Sequence, residues 1–378
     1  MERFFATAPG RVNLLGEHVD YNQGIVLPAA VDRRVKIHAR RLSEPRVILH
    51  ALDFSQQVEI SLAPEALDAR CDREGKPLPT WALYPAGVAW ALLRSGYPIE
   101  GLEASYTSDI PVGAGLSSSA AVEVAFAILW QAMGGWSLSR MDLARLCQYA
   151  ENAYVGVNCG LMDQFASAHG IAGHALCFDV RALTYEPVPL PADVMLVIAD
   201  SAVRRSLATS AYNERRAACE EAVERLRPHL PGIQALRDVS VENFSRLAHL
   251  LPEVVRRRAQ HVVDEIARVE HAVKALKRAD VALFGQLMLE GHRSLRDLYE
   301  VSTPELDFLV DFAARQPGCW GARLTGAGFG GCTINLVQRE WVEPFVRNLQ
   351  EAYQREVGLN AEVYVCLASA GAHAQPMD

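Results

Sequence analysis

The sequence predicts a two-domain protein of mixed helices and strands, α+β or α/β. Three observations predict it. Segments with the 3.6-residue period of a helix and the two-residue period of a strand alternate along the chain, with no internal repeat. The 378 residues exceed what most single cores use. A proline-rich stretch, Pro187-Val188-Pro189-Leu190-Pro191, divides the chain near its middle. The expected domains are residues 1–190 and 191–378.

The first forty residues read as strands and turns. Gly24 to Val31 is a mostly apolar run, and Arg33 to Arg40 then alternates Val35, Ile37 and Ala39 with polar residues, as a half-buried strand does. Residues 63–80, rich in proline and charge, read as a loop. Trp81 to Arg94 is a helix and Gly101 to Ser108 a strand. A Pro/Gly/Ser loop at 111–119 leads into an apolar helix from Ala120. Ser139-Arg140-Met141-Asp142 has the spacing of a capping box, after which Leu143, Leu146, Cys147, Ala150, Ala153 and Tyr154 share one helical face. Val194 to Ala199 is a buried strand, and a helix follows from about 210 to 230. The span 252–279 is a long helix whose core stripe includes Val255, Val262, Ile266, Val269 and Leu276. Thr303 is a cap followed by Pro304 at the first helical position. Gly321 to Val337 reads as strand, glycine-rich turn, strand; a helix at 342–356 and a strand at 362–367 close the chain.

Composition narrows the function classes. Half the residues are hydrophobic and 22% charged, which is ordinary globular usage. A net charge of -8 argues against non-specific nucleic-acid binding. The eight cysteines form no C-x-x-C pair, so neither a zinc site nor a disulfide framework is suggested, and a reduced cytoplasmic setting fits. Met1 to Phe5 carries no signal-peptide core. The most apolar stretch, Ala120 to Met133, is broken by Glu123 and Gln131 and is too short to span a bilayer. Small molecules are therefore the expected partners, with neither nucleic acid nor membrane.

Four segments carry polar chemistry. Gly10 to Asn22 packs Arg11, Asn13, Glu17, His18, Asp20 and Tyr21 between glycines, a set suited to hydroxyl-rich ligands. A polar surface loop has the same composition. Pro111 to Ala121 holds Gly113, Gly115 and three serines and runs into a helix, whose N-terminus offers free N–H groups to an anion. The loop has no lysine and is not the usual P-loop, so magnesium and arginine from elsewhere would supply positive charge. A simple helix-capping turn reads the same way. Leu324 to Cys332 has four glycines, either a close approach to a ligand or a glycine-rich hairpin. In Cys159 to Phe165, Asp163 is a candidate general base or a helix cap. Glu151 lies at the edge of the preceding helical stripe, positioned to reach a metal or to sit in solvent.

In order and spacing these segments resemble the GHMP kinase superfamily, and within it most closely the galactokinase family. Ala211 to Arg216 and His261 to Val263 share the resemblance. It implies an α+β, two-lobed GHMP kinase fold, with an N-terminal lobe like domain 2 of ribosomal protein S5 and a ferredoxin-like C-terminal lobe. It implies transfer of phosphate from Mg2+-ATP to the anomeric hydroxyl of α-D-galactose. Asp163 would take the proton; Arg11 would hold Asp163 ionised and stabilise the transferring phosphoryl group. Glu17, His18, Asp20, Gly160 and Tyr212 would line the sugar pocket. Gly113, Ala114, Gly115, Leu116, Ser117, Ser118 and Ser119 would wrap the phosphates, and Ser119 with Glu151 would hold Mg2+. A monomer or weak homodimer is expected. Fewer residues precede Gly10 than is usual in the family. Leu15 and Leu161 replace the usual isoleucine, swaps that conserve volume. Two alternatives stand beside this reading: a kinase for N-acetylgalactosamine or L-arabinose, and a non-catalytic galactose/ATP sensor. The intact serine loop with Asp163 and Arg11 favours an enzyme.

Overall fold

The computed structural model describes residues 2–111, 113–204 and 208–377; Val112 of the 111–119 loop lies outside them. The first of three sheets has six strands, in the order His373–Met377, Arg3–Asn13, Pro28–Leu42, Gly101–Ser108, Arg46–Ala51, Gln56–Ser61. All neighbours are antiparallel except Arg46–Ala51 with Gly101–Ser108. The strand Pro28–Leu42 is buried on both faces at first and then alternates, as the sequence pattern requires. The helix Ser118–Gly134 packs across this sheet.

The second sheet is antiparallel, in the order Cys319–Thr325, Cys332–Gln338, Val194–Asp200, Glu362–Cys366. Counted along the chain this is 2-3-1-4, the ferredoxin-like arrangement. The strand Val194–Asp200 is buried throughout. Met195, Val197 and Ala199 pack with residues of the helices Pro304–Ala313 and Val342–Val357, while Leu196 and Ile198 join the main core. Burial on both faces explains its unbroken apolar run. A small third sheet joins Ile25–Val26, His174–Asp179 and Thr184–Pro189.

One main core runs from the first sheet through the helix Glu253–Lys277 to the inner face of the second. The lobes therefore share buried surface. The chain passes from the first half to the second between Thr184–Pro189 and Val194–Asp200, at the proline-rich stretch. His373–Met377 then crosses back to pair with Arg3–Asn13, so the last strand of residues 191–378 lies in the sheet of the first lobe.

Several local expectations need correction. Residues 63–80 hold a short helix, Pro64–Ala69, with Pro64 pre-set for its first turn. The helix expected at 210–230 runs Ala208–Leu226, and the long helix is Glu253–Lys277. Ser139 caps as expected, its Oγ accepting from Asp142 N at 3.0 Å. The helix Arg140–Tyr149 then widens into a π-helical turn, Ala150–Val155, which carries Glu151. Such turns are frequent at functional sites.

Candidate active site

A cavity of about 880 Å³ opens between the lobes. Its first wall is built at Gly10. The register of Arg3–Asn13 against Pro28–Leu42 shifts between Pro9 and Arg11, a bulge that ends regular pairing. A Cβ at Gly10 would lie 2.8 Å from Leu116 O, so only glycine admits the serine loop this close. Arg11 N–H donates to Leu116 O at 3.1 Å. The Arg11 side chain then turns into the cavity with 5% of the residue exposed.

Arg11 meets Asp163 in a two-pronged pair. Nε donates to Oδ1 and Nη2 to Oδ2, each at 2.8 Å. Nη1 donates to Gly115 O at 2.6 Å. Asp163 lies in the first turn of the helix Met162–His169, and Ser117 Oγ donates to its Oδ2 at 2.5 Å. Ser117 occupies the N-cap position of Ser118–Gly134 in the left-handed region, φ 57°, and its hydroxyl makes no cap bond. The hydroxyl serves Asp163 instead. The first-turn N–H groups of that helix keep no side-chain cap, which is what an anion site needs. Gly113, Gly115, Leu116 and Ser117 to Ser119 line the cavity. Ala114 does not; it is fully buried behind the loop.

The expected sugar residues converge on the same space. Glu17, His18, Asp20, Gly160 and Tyr212 all line it. Gly160 has a direct reason to be glycine: a Cβ there would overlap the Asp20 carboxylate. Burial, reinforced by the charge of Asp163, raises Asp20 to about 6. His18 sits at φ 64°, with Nε2 3.1 Å from Ala327 O and Nδ1 2.9 Å from Tyr21 Oη. A carbonyl only accepts, so Nε2 carries the proton and Nδ1 accepts from Tyr21. Burial lowers His18 to about 3, so it is neutral. With both nitrogens bonded to protein, His18 shapes the wall as a fixed ring. Glu17 is 1% exposed. Its Oε2 is 2.6 Å from Arg323 Nη2, and its Oε1 accepts from Gly326 N at 3.3 Å. Burial raises it to about 7, with Arg323 pulling the other way.

Glu151 is buried, not solvated. It accepts from Gln164 Nε2 at 2.5 Å, from Cys159 Sγ at 3.2 Å and from the Ser119 hydroxyl. Burial raises its pKa. Behind it lies Glu123, fully buried, with Oε1 unpartnered. Burial holds Glu123 well above the ordinary carboxylate range, whereas the hard oxygens of Glu151 and Ser119, which line the cavity, are donors of the kind that suit Mg2+. Ser119 and Glu151 thus fit the ion expected of them.

Sequence reasoning missed an aromatic wall, where Phe54, Trp81, Tyr84, Tyr106 and Val122 also line the cavity. Trp81 and Tyr84 stand three apart on the helix Thr80–Arg94 and so share a face. Their spacing was visible, but it is also that of an ordinary core stripe. Arg204 stands beside the serine loop without lining the cavity. Its Nε would be 3.2 Å from a Cβ at Gly113, and Asp200 holds its guanidinium at 2.5 and 2.8 Å.

The glycine-rich turn at 326–331 reaches the cavity with its first two residues only. Gly326 and Ala327 line the cavity, and a Cβ at Gly326 would stand 3.2 Å from Gly115 O. The loop touches the acidic segment through Glu17 and His18 and the serine loop through Gly115.

This frame and this loop arrangement define a GHMP kinase. Family models agree: GHMP kinases N terminal domain matches residues 84–171, GHMP kinases C terminal matches 272–355, and Galactokinase galactose-binding signature matches 1–41. The galactokinase of Roseiflexus sp. (strain RS-1) is 47% identical over 364 residues, 96% of this chain and 91% of its own length. That of Fusobacterium nucleatum is 39% identical over 98% of this chain and 94% of its own. The chain belongs to the galactokinase family. The crystal structure of Lactococcus lactis galactokinase complexed with galactose superimposes with a TM-score of 0.92 at 36% identity, covering 98% of this chain and 94% of that one. The Methanococcus jannaschii mevalonate kinase shares the fold, with a TM-score of 0.65 at 19% identity over 97% and 98% of the two chains.

Proposed function

We propose that this enzyme transfers the γ-phosphoryl group of ATP to the anomeric C1 hydroxyl of α-D-galactose, yielding galactose 1-phosphate and ADP. One observation carries the reading: Asp163, paired with Arg11 and bonded by Ser117, stands where the acidic wall and the serine loop meet. A hydroxyl held by the acidic wall and a phosphate held by the serine loop both reach that point. Phosphoryl transfer needs mostly such positioning and charge stabilisation.

In this reading Asp163 Oδ accepts the C1 hydroxyl proton, and Arg11 stabilises negative charge on the transferring group. Glu17 and Asp20 accept from sugar hydroxyls, Tyr212 closes the pocket, and Gly160 makes room for Asp20. Residues 113–119 wrap the phosphates through backbone N–H groups and serine hydroxyls, with Arg204 adding positive charge. The aromatic wall around Trp81 and Tyr84 receives the nucleotide base by stacking. Ser119 and Glu151 would hold Mg2+, which neutralises phosphate charge when bound. The protein in this reading is a cytoplasmic monomer or weak homodimer whose lobes divide at 190/191, apart from His373–Met377, which returns to the first lobe. No helix among the described residues is long and apolar enough to cross a membrane.

The test is a steady-state screen of free sugars with Mg2+-ATP, scoring phosphorylated product. Galactose is expected to give the highest kcat/KM. Preferential turnover of N-acetylgalactosamine or L-arabinose would replace the substrate, and no turnover of any sugar would remove the kinase reading.

A further inference from the structure

Arg323 is fully buried in the strand Cys319–Thr325, between two apolar neighbours. Its guanidinium lies against three segments. Nη2 is 2.6 Å from Glu17 Oε2; Nη1 donates to Glu265 Oε1 at 2.8 Å and more weakly to Leu14 O at 3.4 Å. Glu265, on the helix Glu253–Lys277 and 0% exposed, also accepts from Gly16 N at 2.9 Å and pairs with Arg268. The third segment is the helix Val281–Ser294, which leaves Gly291 bare beneath the guanidinium: a Cβ there would be 2.8 Å from Nη1. Glycine inside a helix costs about 1 kcal/mol relative to alanine, so this space is kept deliberately.

Stability alone does not explain such an arrangement. Buried ion pairs are often matched or bettered by apolar side chains of similar volume. What distinguishes this one is where it ends. Glu17 lines the cavity, whereas Arg323 and Glu265 do not. The two acids and two arginines balance, and Glu265 ties down both the guanidinium and the Gly16 backbone beside Glu17. We propose that Arg323 and Glu265 are positioning residues of the sugar site, fixing the Glu17 carboxylate so that its free lone pairs face the ligand's hydroxyls. The proposal rests on the placement of Glu17 in the sugar pocket.

The test is calorimetric titration of the full chain and of Glu265→Gln, Arg323→Met and Glu17→Gln, with a melting curve for each. Glu265→Gln keeps size and a hydrogen-bond acceptor for Gly16 N–H. The steady-state screen of the wild type decides the substrate first, and wild type and variants are then titrated with the sugar it phosphorylates. Sugar Kd is expected to rise about tenfold or more in Glu265→Gln and Arg323→Met, the scale of one charged hydrogen bond. Affinity for a non-hydrolysable ATP analogue should stay within about twofold, as for an independent site. Adding Arg323→Met to Glu17→Gln should change sugar Kd far less than Arg323→Met does alone. Unchanged sugar Kd in folded variants overturns the proposal. So does an equal loss of sugar and nucleotide affinity, which a merely structural role would produce. Should Arg323→Met fail to fold, Glu265→Gln carries the same comparison.

Discussion

Arg11 and Asp163, 152 residues apart in the chain, are joined by two parallel hydrogen bonds of 2.8 Å. Fork-to-fork pairing fixes the carboxylate in plane as well as in place. Replacing Asp163 with Asn keeps the shape and removes the acceptor of the hydroxyl proton. We expect kcat to fall about 10²- to 10⁴-fold, the range for a general base, in a variant that still folds but melts at a lower temperature because buried Arg11 loses its paired charge. Arg11→Ala should lower kcat about 10²- to 10³-fold, and it should also raise the KM for ATP. The second effect follows from Arg11 Nη1, which holds Gly115 O at 2.6 Å. Steady-state kinetics in both substrates separates the two. A change confined to sugar KM would move Arg11 into a binding role.

Gly160 and Asp20 make a second test. A methyl at 160 would occupy the space of the Asp20 carboxylate. Gly160→Ala should raise sugar KM about tenfold and leave ATP KM unaltered, because only the sugar wall moves. Combined with Asp20→Asn, it should add little. Additive losses would show that Gly160 acts on something other than Asp20.

How far the sequence anticipates this site depends on the range of the interactions. The serine loop and the acidic segment are dense local patterns, and their composition is legible without a partner. Strands such as Gly101–Ser108 are equally legible because one face is buried along their whole length. His373–Met377 is not: its residues are mostly exposed and it is held by pairing with Arg3–Asn13 at the other end of the chain. Glu151 reads either as a metal ligand or as a solvated edge residue, and only the structure, which buries it on a π-helical turn, decides between the two. Arg323 did leave a local mark, one charge inside an apolar strand, but its partner Glu265 lies 58 residues away. The aromatic wall is hidden for another reason. Trp81 and Tyr84 carry the period of a core stripe, and only the cavity beside them sets them apart.

That wall can be tested directly. Trp81 is half-buried and its indole N–H donates to Gln56 Oε1 at 2.6 Å, which holds the ring's orientation. Trp81→Ala should raise ATP KM about tenfold, the usual scale for loss of one aromatic stacking partner. Sugar KM and kcat at saturating ATP should change little. An unaltered ATP KM would place the base elsewhere.

Stability should depend on pH through His261. It is fully buried, with Nδ1 2.8 Å from Ser294 Oγ and Nε2 3.3 Å from Glu17 O, and burial lowers it to about 4. An unfolded histidine titrates near 6.5, so as the pH falls the unfolded chain takes the proton first. The contribution is complete above that value and is lost progressively as the pH drops from about 6.5 to 4. Between pH 7 and pH 5 it amounts to about 2 kcal/mol for this one group. Denaturant midpoints at the two values should therefore differ more for the wild type than for His261→Gln. Equal pH dependence would mean that His261 takes up its proton as readily in the folded as in the unfolded chain.

Glu151 provides the test of the metal. Its carboxylate is buried beside Ser119, and donors from Gln164 and Cys159 hold it still. Chelation of divalent cations should abolish turnover, and added Mg2+ should restore it. Glu151→Gln preserves the shape and the bond from Gln164 but removes an anionic oxygen, the donor that Mg2+ binds best. The free Mg2+ giving half-maximal rate should then rise about tenfold or more, with part of kcat recovered at high Mg2+. Ser119→Ala should shift it in the same direction by less, since a neutral hydroxyl contributes less charge than a carboxylate. The measurement is initial rate against free Mg2+ at saturating ATP and sugar. If Glu151→Gln lowers kcat without moving the Mg2+ requirement, the carboxylate acts on Asp163 or the serine loop and the metal is held elsewhere.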